Sequence, residues 1–174
     1  VAESMNLASM LRLPLVLICQ NNQYATSLPA TTAIAGGQVS DRARALGIAA
    51  VDVDGNDLEA VINARVTAVE RARDGGGPTL IHALTYRMGG HYMNDPETYR
   101  SSEEVAAWES LDPIIRFAQS LIAAGELTAD TAAAETESVT EQMDIIAAAA
   151  KEGLASEHSM RGPSAFAEDW RVAS

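Results

Sequence analysis

The stretch VDVDGNDLEAVINARVTAVERARDGGGPTLIHALTY, residues 51–86, decides the fold. Ala49 to Val53 is a short apolar strand closed by Asp54-Gly55. Asn56 followed by Glu59 fits a capping box, in which each side chain satisfies a free backbone N–H of the first helical turn. Leu58, Val61, Ile62, Val66, Val69 and Ala72 then recur on one helical face. Gly75, Gly76, Gly77 and Pro78 stop that helix, and Thr79 to Tyr86 follows as a strand of alternating β-favouring residues. A strand, a helix and a strand in this order predict a right-handed crossover between parallel strands.

Working outward, Leu13 to Cys19 is a continuous apolar run that suits a further strand, expected to be buried on both faces of the sheet. Val1 to Arg12 carries Met5, Leu7, Ala8 and Leu11 at helical spacing with no residue placed to open the helix. A loop from Tyr24 to Gly37 and a short helix over Val39 to Leu46 connect the first two strands. Downstream lies a long irregular stretch, Met88 to Arg100. Ser101 with Glu104 makes a second capping box, for a helix through Trp108, and Asp112-Pro113 opens another. Thr128 to Leu154 is Ala-rich, and Val139, Met143, Ile146, Ala150 and Leu154 form a narrow stripe suited to docking. The expected fold is α/β: a partial parallel sheet with flanking helices over 1–100, then a helical C-terminal extension over 101–174. Three parallel strands cannot easily close a core, so sequence is expected to be missing before Val1; the alternative is an oligomeric partner that supplies the remaining strands.

Composition narrows the function classes. Twelve Lys and Arg stand against 24 Asp and Glu in 174 residues, a formal charge of −12. The deficit is concentrated beyond residue 100, where helices with solvated acidic faces explain it. Such a balance is a poor match to phosphate backbones, so nucleic acid is not an expected partner. No apolar run reaches the roughly 20 residues of a membrane helix, no leader pattern opens the chain, and the expected compartment is cytoplasmic. A single cysteine, Cys19, sits in the apolar strand and reads as a small hydrophobe.

In an open α/β sheet, ligands sit beyond the carboxyl ends of the strands. Three polar clusters fall there: Asn21-Asn22-Gln23-Tyr24, Asp54-Gly55-Asn56-Asp57, and Arg87 to Asp95. They should share one rim. Asn21 and Asn22 offer neutral oxygens that could complete a Mg²⁺ shell beside a diphosphate, although Asn-Asn after a strand is, taken alone, more often a turn signal. His91 follows two glycines that permit close backbone approach, and its proton can move near neutrality. Its other reading is an exposed loop histidine. His82, inside a strand, and His158, in the polar tail, read as structural. Arg87 and Arg100 bracket the loop, where they could clamp a phosphate or form loop-stabilising ion pairs with Asp95. The glycine runs 36–37 and 75–77 lack dinucleotide-loop spacing.

LPLVLICQNNQYATSLP at 13–29, VDVDGNDLEAV at 51–61, GPTLIHALTYRMGGHYMNDPETYR at 77–100 and EEVAAWESLDPI at 103–114 together resemble the α subunit of the thiamine-diphosphate-dependent E1 component of 2-oxo acid dehydrogenase complexes, including its acetoin dehydrogenase relatives. The resemblance implies thiamine diphosphate and Mg²⁺ as cofactors, a β-type subunit in an α2β2 assembly, and a lipoyl-bearing E2 component that accepts the acyl or hydroxyalkyl group. It implies that Asn22 ligates Mg²⁺ through its side chain and Tyr24 through its backbone carbonyl. It also implies that His91 approaches the cofactor and helps pass the group to lipoamide. The alternatives are a fragment acting only in subunit assembly, a transketolase-like thiamine enzyme, or a plain nucleotide-binding module.

Departures from the family pattern are also visible. Its Gly-Asp-Gly segment occurs nowhere in these residues and is expected upstream of Val1. Tyr92 stands where many relatives carry a serine, and Gln20 where others carry Glu or Arg.

Overall fold

The computed structural model describes residues 1–154, so His158 lies outside the described residues. The chain divides after Ser120 into two compact units. In the first, α1 (Ala2–Met10) leads to β1 (Val16–Asn21), a small hairpin of β2 (Tyr24–Ala25) and β3 (Leu28–Pro29), and the short helices α2 (Ala30–Ala33) and α3 (Val39–Ala45). β4 (Ala49–Asp54), α4 (Leu58–Arg73), β5 (Thr79–Leu84) and α5 (Ser102–Glu109) follow, and α6 (Pro113–Ala123) begins in this unit. The second unit contains α7 (Ala129–Leu154), opened by Thr128, whose hydroxyl accepts the Thr131 N–H at 3.1 Å. Val139, Met143 and Ile146 are exposed along α7. Among the described residues no helix is long and apolar enough to cross a membrane.

The three main strands are parallel in the order β1-β5-β4, as the crossover reading requires. β5 is the central strand, and its residues from Thr79 to Ala83 are all buried. The double-sided burial expected of the first strand therefore belongs to β5. β1 pairs only with β5 among the described residues, and Ile18 on it is 67% exposed. β1 also starts later and runs further than expected: Leu13 and Pro14 form part of a tight turn, Leu15 N–H donating to Leu13 O at 2.8 Å, and pairing begins at Val16. The hairpin and α2 were not foreseen; they occupy what reads in sequence as loop.

Period-two alternation sorts the sheet into two faces. Leu17, Leu80 and Ala50 pack with Met5, Ala43 and Ile48 on the side of α1 and α3. Ser40 of α3 meets Asp52 on that same side. α4 packs against β4 and β5. Its inward face matches the one the apolar pattern selected only in part: Ala72 is buried and Val61 and Val69 are half-buried, whereas Leu58, Ile62 and Val66 are exposed and Ala68, outside the pattern, is buried. The larger residues Leu58, Ile62 and Val66 are left on the outer flank.

Of the two expected capping boxes, the one at Ser101 is half realised and the one at Asn56 does not form. The N-cap of α4 is Asp57, not Asn56: Asp57 Oδ1 accepts the Ala60 N–H at 3.0 Å. Asn56 is buried in the preceding turn, its N–H bound to Asp54 Oδ1 at 2.9 Å. Ser101 does cap α5, accepting the Glu104 N–H at 3.1 Å, but the Glu104 carboxylate is engaged elsewhere. A reciprocal contact that sequence reading missed opens α3, where Asp41 Oδ2 accepts the Gln38 N–H at 3.0 Å.

Candidate functional site

The register makes the rim. Leu84 is level with Asn21 on one side and Asp54 on the other, so β1, β5 and β4 end flush. Gly55 N–H donates to Leu84 O at 2.7 Å, Thr85 N–H to Asn21 O at 2.9 Å, and Arg87 N–H to Asn22 O at 3.2 Å. All three polar clusters leave the sheet along this line. A side chain at Gly55 would put its Cβ 2.5 Å from Thr85 Cγ2, so only glycine permits the β4 and β5 exits to run this close.

The Asn-Asn cluster is a turn, held by its own amides. Asn21 Oδ1 accepts the Gln23 N–H at 3.1 Å, and Asn22 Oδ1 accepts the Tyr24 N–H at 3.2 Å. Gln23 takes the left-handed conformation, φ 72°, which residues with a Cβ adopt rarely. The arrangement fits a magnesium site in two respects. Asn22 Oδ1 keeps a second lone pair beyond the one Tyr24 uses. Tyr24 and Pro29 face each other as a non-hydrogen-bonded pair, since it is the neighbouring Ala30 N–H that donates to Gln23 O, so the Tyr24 carbonyl takes no donor from the partner strand. Both oxygens are neutral, as suits a hard cation that also meets phosphate oxygens. Among the described residues no group of three or more His, Cys, Asp or Glu side chains is arranged to hold a metal. An open hollow of ≈ 380 Å³ adjoins the turn, lined in part by Asn21, Gln23, Thr31 and Leu84.

An aromatic cluster ties the turn to the loop at 88–100. The Tyr24 and Tyr86 hydroxyls both donate to Glu104 Oε1, at 2.8 and 2.9 Å. Tyr86 stacks on Trp108 with ring centroids 5.1 Å apart, and Tyr24 lies 5.4 Å from the Tyr99 ring. Burial, reinforced by the neighbouring Glu104 carboxylate, pushes the Tyr24 phenol up to about 12.

The two arginines are committed inside this structure. Arg87 Nη2 donates to Thr26 O at 2.7 Å and to the Tyr99 hydroxyl at 2.8 Å, with its guanidinium over the Tyr24 and Tyr99 rings. Arg100, its side chain fully buried, pairs with Glu97 at 2.6 Å and donates to the carbonyls of Arg87 and Met88. Neither arginine pairs with Asp95. That carboxylate instead accepts the His91 N–H at 2.8 Å and the Tyr99 hydroxyl at 2.9 Å. Burial opposes its ionisation, but the backbone N–H groups of Glu97 and His91 and the Tyr99 hydroxyl outweigh it and hold Asp95 below the usual carboxylate range.

A chain of hydrogen bonds thus runs from Asn22 through Arg87, Tyr99 and Asp95 to the backbone of His91. The imidazole itself is exposed. Gly90 is needed for a reason internal to the loop: a Cβ there would lie 2.6 Å from Asp95 Cβ, whereas Gly89 faces open space. Sequence reading missed Glu104 and Tyr99. The Glu104 signal had been assigned to capping, and no local pattern marks a residue whose partner is 80 positions away.

The middle cluster serves local structure. Arg116 donates to Asp54 at 2.9 Å and lies 3.7 Å from Asp57, and Asn56 Nδ2 is buried without a partner.

The architecture is that of an open α/β sheet, a class in which ligands sit beyond the carboxyl ends of the strands, the edge from which the Asn22 turn and the His91 loop both depart. Within that class the chain belongs to the dehydrogenase E1 component family, whose model matches residues 1–158. It is 42% identical over 152 residues to the pyruvate dehydrogenase E1 component subunit alpha of Staphylococcus epidermidis, a match covering 86% of this chain and 40% of that protein. It is 44% identical over 118 residues to the 3-methyl-2-oxobutanoate dehydrogenase subunit alpha of Mycobacterium tuberculosis, covering 67% of this chain and 32% of that protein. The pyruvate dehydrogenase subunit alpha of Staphylococcus aureus is 44% identical over 117 residues, 66% of this chain and 32% of its own length. The chain thus spans two fifths or less of the relatives it matches.

Proposed function

We propose that this chain is the diphosphate-anchoring part of an E1 α-type subunit that acts on a 2-oxo acid. Pyruvate and 3-methyl-2-oxobutanoate, which appear in the names of its relatives, are both 2-oxo acids. The observation that carries the reading is the turn after β1: a side-chain oxygen of Asn22 and a hairpin carbonyl of Tyr24 with no cross-strand donor, at the rim from which the His91 loop also departs. Mg²⁺ would be held by these two oxygens together with phosphate oxygens and groups outside the chain. Thiamine diphosphate, when bound, would supply the carbon nucleophile and electron sink that 2-oxo acid cleavage requires.

The chain's own residues then divide the remaining work. Asn22 and Tyr24 fix the position of the phosphate end. The Tyr24, Tyr86, Tyr99 and Glu104 cluster holds the 88–100 loop against the rim. His91, exposed on that loop, donates a hydrogen bond or moves a proton at the mouth, where a lipoyl acceptor arrives. A β-type subunit completes the site and an E2 component receives the acyl group.

The test uses the full-length protein carrying this sequence with its β-type partner. Asn22→Ala should weaken Mg²⁺-dependent retention of thiamine diphosphate through a desalting column by about tenfold or more. Retention equal to that of the unsubstituted protein overturns the assignment.

A further inference from the structure

Beneath the Asn21-Asn22 turn runs a hydrogen-bonded chain that the proposed function leaves unused. The Ser40 hydroxyl donates to Asp52 Oδ1 at 2.6 Å, and Arg44 Nη2 to Asp52 Oδ2 at 3.0 Å. His82 Nδ1 lies 2.8 Å from Asp52 Oδ1, and Asn21 Nδ2 lies 3.1 Å from His82 Nε2. His82 is 2% exposed, on the central strand, with β1 and β4 on either side.

The polarity of every link follows from its neighbour. The Gln23 N–H can only donate, so the Asn21 amide oxygen faces it and Nδ2 faces the imidazole. An amide nitrogen also donates only, so His82 Nε2 accepts and carries no proton. The single ring proton is on Nδ1, where the Asp52 carboxylate receives it. Burial opposes ionisation of Asp52, but the hydrogen bonds from Ser40, His82 and Arg44 outweigh it and bring the carboxyl down to about 2. The acceptor at the foot of the chain is therefore permanent at neutral pH.

Asn21 joins this chain to the turn. The same amide that donates to His82 accepts the Gln23 N–H, and Gln23 holds the left-handed conformation that swings Tyr24 back toward Asn22. If the amide rotates, the turn loses the bond that keeps Gln23 in place.

We propose that His82 is a positioning residue: oriented by Asp52, its unprotonated Nε2 fixes the Asn21 amide and so sets the turn that presents Asn22 Oδ1 and the Tyr24 carbonyl to Mg²⁺. The role rests on the cofactor reading given above. It differs from core filling because it depends on one donor and one acceptor and not on ring volume.

The experiment uses the same full-length assembly. His82→Leu removes both polar links and should lower Mg²⁺-dependent retention of thiamine diphosphate about tenfold. His82→Gln keeps one donor and one acceptor and should restore retention to within about twofold. Nitrogen NMR of the unsubstituted protein should show the ring proton on Nδ1. Unchanged retention in the Leu variant, equal losses in the Leu and Gln variants, or a proton on Nε2 each overturn the proposal. Should the Leu variant fail to fold, Asp52→Asn carries the test: it should lower retention several-fold, and unchanged retention overturns the proposal. Absence of Mg²⁺-dependent retention in the unsubstituted protein refutes the cofactor reading and this role together, a pattern separable from failure in the variants alone.

Discussion

Tyr24 donates its hydroxyl to Glu104 Oε1 across 2.8 Å, joining the turn after β1 to the first turn of α5. Tyr86, just beyond β5, donates to the same oxygen at 2.9 Å. One carboxylate thereby fastens α5 and the loop before it to two adjacent strand ends. Hydrogen bonds to a charged acceptor contribute roughly 1.5–3 kcal/mol each. Glu104→Ala should accordingly lower stability by about 3 kcal/mol in denaturant unfolding, and Tyr24→Phe by about half of that. A double-mutant cycle on Tyr24 and Glu104 should show clear coupling; additivity would mean the two groups are not partners in solution.

The same contact has an alkaline signature. The Tyr24 phenol is raised from its ordinary value near 10 to about 12, so the folded state holds that proton more tightly than the unfolded chain. Its stabilisation is complete below about pH 10 and is lost as pH rises toward 12. Ultraviolet titration of phenolate should show a late-ionising group that disappears in Tyr24→Phe.

Asp52 gives the opposite sign. With its carboxyl lowered from 3.8 to about 2, its contribution is present above pH 4 and lost as pH falls toward 2. Asp52→Asn should therefore flatten the acid limb of the stability profile in that window. An unaltered limb would show that other carboxylates govern acid unfolding.

Gly90 is packed by the loop itself, with Asp95 too close for any Cβ. Gly90→Ala should displace the Asp95 contact with the His91 backbone and make residues 88–100 the first site of limited proteolysis. The expected cost to global stability is about 1–3 kcal/mol, as for other overpacked positions. Equal cleavage rates in both proteins would contradict the tight contact.

His91→Ala tests the division of labour proposed for the rim. Cofactor retention should stay within about twofold, while transfer to a lipoyl acceptor should slow about a hundredfold, the scale of a lost proton-transfer group. Unaltered transfer removes His91 from the chemistry.

The elements themselves were legible because their signals are local. β4, α4 and β5 are announced by an apolar run, a helical period and a glycine-proline stop, all inside 36 residues. Which face each element buries was less legible. The helical period marked Ala72, which is buried, but also Leu58, Ile62 and Val66, which are exposed, and it passed over Ala68, which the sheet covers. Burial of β1 was also misjudged: an apolar composition reports what a strand tolerates, and its position at the side of β5 determines what it receives. At the rim, Asn22, Tyr24 and His91 could be singled out from residue type and strand-end position alone. The tyrosine cluster and the Asn21–His82–Asp52 chain could not, since each needs residues from three elements to be seen at once.

The level ending of β1, β5 and β4 has one more consequence. Sliding β5 by a single residue against its neighbours would turn His82 and Leu80 to the opposite face and carry Arg87 out of reach of the Asn22 carbonyl. An insertion after Leu84, Asn21 or Asp54 leaves the ladder in register whereas one inside a strand shifts it, which makes the ladder a fixed ruler for the segments that hang from its end.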